Sequence, residues 1–85
     1  MVKILVVEDN IEISKNIEEY FQKEFEITAV YNGADALDNL QIYNYDVVIL
    51  DLMLPEVGGM TVLKYISDKC LNTGVIILTA KEELG

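Results

Sequence analysis

In this chain of 85 residues, with 15 acidic and 6 basic residues and no histidine, the side chains best placed for chemistry are acids that directly follow apolar runs. Glu8 and Asp9 follow Ile4-Leu5-Val6-Val7, and Asp51 follows Val47-Val48-Ile49-Leu50. Thr79 and Ala80 follow Val75-Ile76-Ile77-Leu78 in the same way. Three carboxylates gathered in one place repel one another, so either one takes up a proton or a cation neutralises them. Oxygen donors without histidine or paired thiols select a hard cation. Mg²⁺ fits best: it keeps several waters, takes one or two carboxylates and completes its shell with phosphate oxygens. In such a site the Thr79 hydroxyl is expected to reach a phosphoryl oxygen. The small side chain of Ala80 leaves its backbone N–H open to an anion. Singly, these residues say little, since an acid after a strand is commonly a helix cap or a solvated loop residue. Their coincidence at the ends of successive runs is what makes a site.

Those residues meet only if the runs are neighbouring strands. Lys3 to Val7 is apolar and β-branched without alternation, the pattern of a strand covered on both faces. Asn10 is an N-cap, and Ile13, Ile17, Tyr20 and Phe21 recur at helical spacing up to Glu24. From Phe25 to Tyr31 the pattern alternates, with Phe25, Ile27, Ala29 and Tyr31 on one side, which predicts a half-exposed edge strand. Asn32-Gly33 opens a short helix in which Ala36, Leu37 and Leu40 share a face. Asp46 to Leu50 predicts a second buried strand, ending at Asp51, and Leu52 to Gly59 a loop. A helical stripe runs through Met60, Leu63 and Ile66. After the turn Asn72-Thr73-Gly74, Val75 to Leu78 predicts a third buried strand.

The order βαβαβαβ calls for an α/β fold: a doubly wound parallel sheet with right-handed crossovers. Ligands then bind outside the carboxyl ends of the strands, where the strand order reverses. With the order 2-1-3-4 the first and third strands are neighbours, and Glu8, Asp9 and Asp51 share one crevice. The whole of residues 1–85 forms one partial domain, with no linker and no repeat.

A formal charge of −9 repels nucleic-acid phosphates, so no direct DNA or RNA contact is expected. Cys70 has no partner thiol and no metal-ligand spacing, and reads as a structural thiol. The apolar runs are too short for a membrane span, and the start lacks the pattern of a secretory signal, so the cytoplasm is the expected compartment.

Taken in order, Ile4 to Asn10, Tyr45 to Pro55, Gly59, and Val75 to Ala80 are similar to the signatures of bacterial two-component response regulators, and the chain resembles their receiver domain. The resemblance implies a flavodoxin-like receiver fold with Asp51 as phosphoacceptor and a sensor histidine kinase as donor. It implies Mg²⁺ held by Glu8, Asp9, Asp51 and the backbone carbonyl of Met53. Thr79 would sense the phosphoryl group, and Met53 and Lys81 would tune its loss to water. A transcriptional output domain of winged-helix type is a further implication.

The chain departs from the family pattern in three ways. Gly58 stands where an acid is usual, which costs only a few tenths of a kcal/mol at an N-cap. The fifth strand, its lysine and the last two helices are absent, and Lys81 follows the wrong strand to replace that lysine. No output domain follows. Val75 to Leu78 would then be an open apolar edge, and self-association is expected. An inactive, receiver-like interaction module is one alternative reading. A haloacid-dehalogenase-type phosphatase is another, disfavoured because Met53 stands where that chemistry wants a second acid.

Overall fold

A strand with no apolar alternation needs cover on both faces, because successive side chains point to opposite sides of the pleat. The computed structural model describes residues 1–70 and 72–78 and supplies that cover. Its elements are β1 (Lys3–Val7), α1 (Ile11–Phe21), β2 (Glu26–Val30), α2 (Gly33–Ile42), β3 (Val47–Asp51), α3 (Gly59–Lys69) and β4 (Gly74–Leu78). The four strands form one parallel sheet in the expected order β2-β1-β3-β4. β1 is central, pairing Lys3 with Glu26 through Val7 with Val30 on one side. On its other side Ile4 pairs with Val47 through Val7 with Leu50. β4 continues the sheet from β3, with Asp51 opposite Leu78.

The alternate residues of β1 enter two different cores. Leu5 and Val7 join Val48 and Leu50, Ala36 and Leu40 of α2, and Val62 and Ile66 of α3. Ile4, Val6 and Ile49 form the core of the other face, against Ile17 of α1 and Phe25, Ile27 and Val47. Leu5, Val48, Leu50 and Val62 are fully buried, and each stabilises the fold by roughly 2 kcal/mol through the apolar surface it removes from water.

Helix starts follow the local chemistry. The Asn10 side chain accepts from the Ile13 N–H at 3.1 Å and that of Asn32 from the Asp35 N–H at 2.7 Å. Caps of this kind contribute about 1 kcal/mol each. Gly58 caps α3 without a side-chain bond.

The helical stripes lie at a different angle from that expected. In α1 the residue fully buried is Ser14, while Ile13 and Tyr20 are exposed and Ile17 and Phe21 are half-buried. Tyr20 instead lies edge-on to Phe21, with ring centroids 4.9 Å apart. In α3 Met60 is exposed, and Val62 takes the inward position beside Ile66. Ser14 is thus the residue that α1 turns inward, with the larger Ile13 and Ile17 flanking it further out. β4 is the open apolar edge that the sequence predicts and not a strand buried on both faces: Ile76 is 54% and Ile77 39% exposed. Among the described residues no strand pairs with its outer edge. No helix among those residues is long and apolar enough to cross a membrane.

Candidate functional site

The register of β1 against β3 decides where the acids fall. Val7 faces Leu50 across the ladder, so Glu8 and Asp51 are the next two residues along neighbouring strands. Asp9 follows at the entry to α1. One carboxylate oxygen from each of Glu8, Asp9 and Asp51 lies within 4.8 Å of the others. Glu8 and Asp51 are buried, at 4% and 6% exposure, and Asp9 is exposed.

Backbone groups hold the two buried acids. The Glu8 carboxylate accepts the Asn10 N–H at 3.1 Å, and the Glu8 N–H donates to the Val30 carbonyl at 3.2 Å. Oδ1 of Asp51 accepts the Met53 N–H at 2.8 Å. That bond closes a turn two residues long, the local habit of aspartate side chains. Burial pushes the Glu8 carboxyl above its ordinary value of 4.5; the Asn10 N–H opposes the shift, and the Asp51 charge adds to it. The ion pair among the described residues, Lys64 with Asp68, is on the exposed side of α3 and leaves these acids uncompensated.

The donor set fits a hard divalent cation. Oxygen ligands about 2.1 Å from one ion are at most about 4.2 Å apart, so the three acids need only a small closure to share a shell. Glu8, Asp9 and Asp51 are therefore brought together as the sequence predicts. Thr79, Ala80 and Lys81 lie outside the described residues. Met53 has an exposed side chain, and its N–H rather than its carbonyl is engaged with Asp51. The Asn10 and Met53 N–H groups are the site members that sequence reasoning missed; the i to i+2 spacing after each acid was the available signal. A cavity of about 570 Å³ bordered by Tyr45, Tyr65, Lys69 and Asn72 contains none of the acids.

Comparison with known proteins matches this arrangement. The family model described as the response regulator receiver domain matches residues 4–85. The transcriptional regulatory protein CiaR of Streptococcus pneumoniae is 39% identical over 84 residues, covering 99% of this chain and 38% of CiaR. The response regulator ArlR of Staphylococcus aureus is 36% identical over 84 residues, covering 98% of this chain and 38% of ArlR. The chain thus spans well under half the length of these curated relatives. Among solved structures, the response regulator protein TrrA from Thermotoga maritima, in complex with Mg(2+)-BeF, superposes with a TM-score of 0.90 at 37% identity. That superposition covers 96% of this chain and 72% of TrrA.

Proposed function

Because the chain belongs to the response regulator receiver domain family, we propose that Asp51 accepts a phosphoryl group from a sensor histidine kinase in a Mg²⁺-assisted step. The new charge then biases a conformational switch. The observation that carries this reading is the convergence of Glu8, Asp9 and Asp51 at the carboxyl ends of adjacent strands.

The step asks little covalent chemistry of the protein. A carboxylate oxygen of Asp51 attacks phosphorus in line, the P–N bond of the phosphohistidine breaks, and its electron pair returns to the imidazole. The Met53 N–H holds Oδ1, so the carboxylate meets the phosphoryl group with its plane fixed. Glu8, Asp9, Asp51 and the backbone carbonyl of Met53 are the proposed ligands of Mg²⁺, which when bound neutralises charge on the phosphoryl oxygens. The similar TrrA, solved in complex with Mg(2+)-BeF, supports a Mg²⁺ site in this fold. From the sequence, Thr79 and the Ala80 N–H are proposed to receive the phosphoryl oxygens, and water later to hydrolyse the acyl phosphate. The family is one of signalling receivers and not of classical enzymes. By analogy with CiaR the output is transcriptional, and the cytoplasm is the proposed compartment.

The test is incubation with Mg²⁺ and acetyl phosphate, followed by intact-mass measurement. Gain of one phosphoryl group, absent from Asp51→Asn and without Mg²⁺, is expected. Equal labelling of Asp51→Asn would refute the assignment. The exposed Ile76 and Ile77 on the outer strand also support self-association of the 85-residue chain when it is studied alone. Sedimentation should then find dimers or larger species; a strict monomer at high concentration rules that out.

A further inference from the structure

The loop between β3 and α3 sets the direction of the Asp51 carboxylate, through the Met53 N–H. Its shape is strained. Glu56 has φ of 57°, in the left-handed region that costs a non-glycine residue roughly 1–2 kcal/mol. Such a conformation persists only where the surroundings over-determine it. Two glycines at helix starts supply that constraint. A Cβ on Gly59 would overlap Leu52 Cα and lie 2.5 Å from the Asp51 carbonyl oxygen. A Cβ on Gly33 would overlap the Val57 carbonyl oxygen and lie 2.8 Å from Val57 Cγ1. Gly33 is buried, and no glycine among the described residues has a positive φ, so space and not backbone freedom explains it. Capping does not require it either, because the Asn32 side chain caps α2.

We propose that Gly33 is a positioning residue for Asp51: the α2 start closes against Val57 and fixes the loop in the register that points the Met53 N–H at the carboxylate. Transmission is stiff because Leu54 is buried in the core, Pro55 has a locked φ, and Glu56 is already displaced from its preferred region. The inference rests on the reading of Asp51 as phosphoacceptor.

The experiment uses the intact protein with three variants. Gly33→Ala forces the overlap, Val57→Ala loosens the brace without one, and Gly58→Ala is the control, since a Cβ there meets nothing within 4 Å. Two quantities are read for each: the labelling rate at saturating acetyl phosphate, and hydrogen exchange at the Met53 amide. Misplacement of a reacting group by about 1 Å can cost 10²-fold in rate, so Gly33→Ala should label roughly ten- to a hundredfold more slowly. Its Met53 amide should exchange faster in parallel. Val57→Ala should shift both in the same direction by several fold, and Gly58→Ala should shift neither. If Gly33→Ala fails to fold, Val57→Ala alone decides. Folded variants that lose thermal stability but keep parental labelling and Met53 protection would overturn the proposal. A parent that does not label at all would instead sink the phosphoacceptor reading, while parallel changes in Met53 exchange would still measure the brace.

Discussion

The two faces of the sheet are built from alternate residues of the same strands, yet they are packed very differently. The face under α2 and α3 gathers Leu5, Val7, Val48 and Leu50 with Ala36, Leu40, Val62 and Ile66. The face under α1 has only Ile4, Val6 and Ile49 as its buried core among the described residues, edged by half-buried neighbours. Its helix turns a serine inward and leaves Ile13 outside. An unbroken apolar run therefore specifies that both faces are covered and says nothing about how well. The acids sit at the end of β1 and β3, the two strands that carry both cores, and by the strand alternation Glu8 follows Val6 and Asp51 follows Ile49 on the thin side.

Neighbouring residues of β3 test that contrast most directly. Leu50→Ala, in the dense core, should cost about 4 kcal/mol, and Ile49→Ala, on the thin side, about 2 kcal/mol, because a looser site relaxes more around a lost side chain. Urea unfolding of both would settle it, and equal costs would break the contrast. The thin face can also be improved. The Ser14 hydroxyl is buried without a hydrogen-bond partner among the described residues. Ser14→Ala should raise stability by about 1 kcal/mol, since an unsatisfied buried polar group carries a desolvation penalty. Loss of stability in thermal melts would mean that the hydroxyl has a use on that face.

A smaller effect is read as a slope with pH. The Glu8 carboxyl titrates above its ordinary value of 4.5 in the folded chain, through burial first and the Asp51 charge as well. The folded state therefore holds this proton more tightly than the unfolded one. Its contribution to stability is full below the unfolded value and is lost as pH rises through the folded value. In metal-free buffer, stability should decline as pH rises from 4.5 through the folded value and level off above it. Glu8→Gln should remove the Glu8 part of the decline, and an unchanged profile would show that Glu8 is not its source.

Much of this arrangement was legible in the residues. The strand runs, the cap at Asn10, the helix start after Asn32, the strand order and the meeting of Glu8, Asp9 and Asp51 follow from patterning and the rule for parallel sheets. The direction of each helical stripe did not. Periodicity in α1 places Ile13, Ile17, Tyr20 and Phe21 on one arc, but the centre of that arc depends on how closely the helix can approach its partner. The residue at the centre is Ser14, which hydropathy counts as polar. The same limit moved the inward position of α3 from Met60 to Val62. The open apolar edge at β4 was foreseen, and Ile76 and Ile77 are exposed there. Gly33 reads as a turn residue, and only the position of Val57 reveals that it makes room for another loop.

The central place of β1 has a consequence in time as well as in space. Within these 85 residues it is made before the other strands, yet its second edge is covered only when β3, beginning at Val47, has been made. Every strand pairing in the sheet is parallel, so no local hairpin can shelter it meanwhile. At roughly 5–20 residues per second the nascent chain carries one open edge of this apolar segment for some seconds. The strand that ends up best protected is thus the one exposed longest on the ribosome.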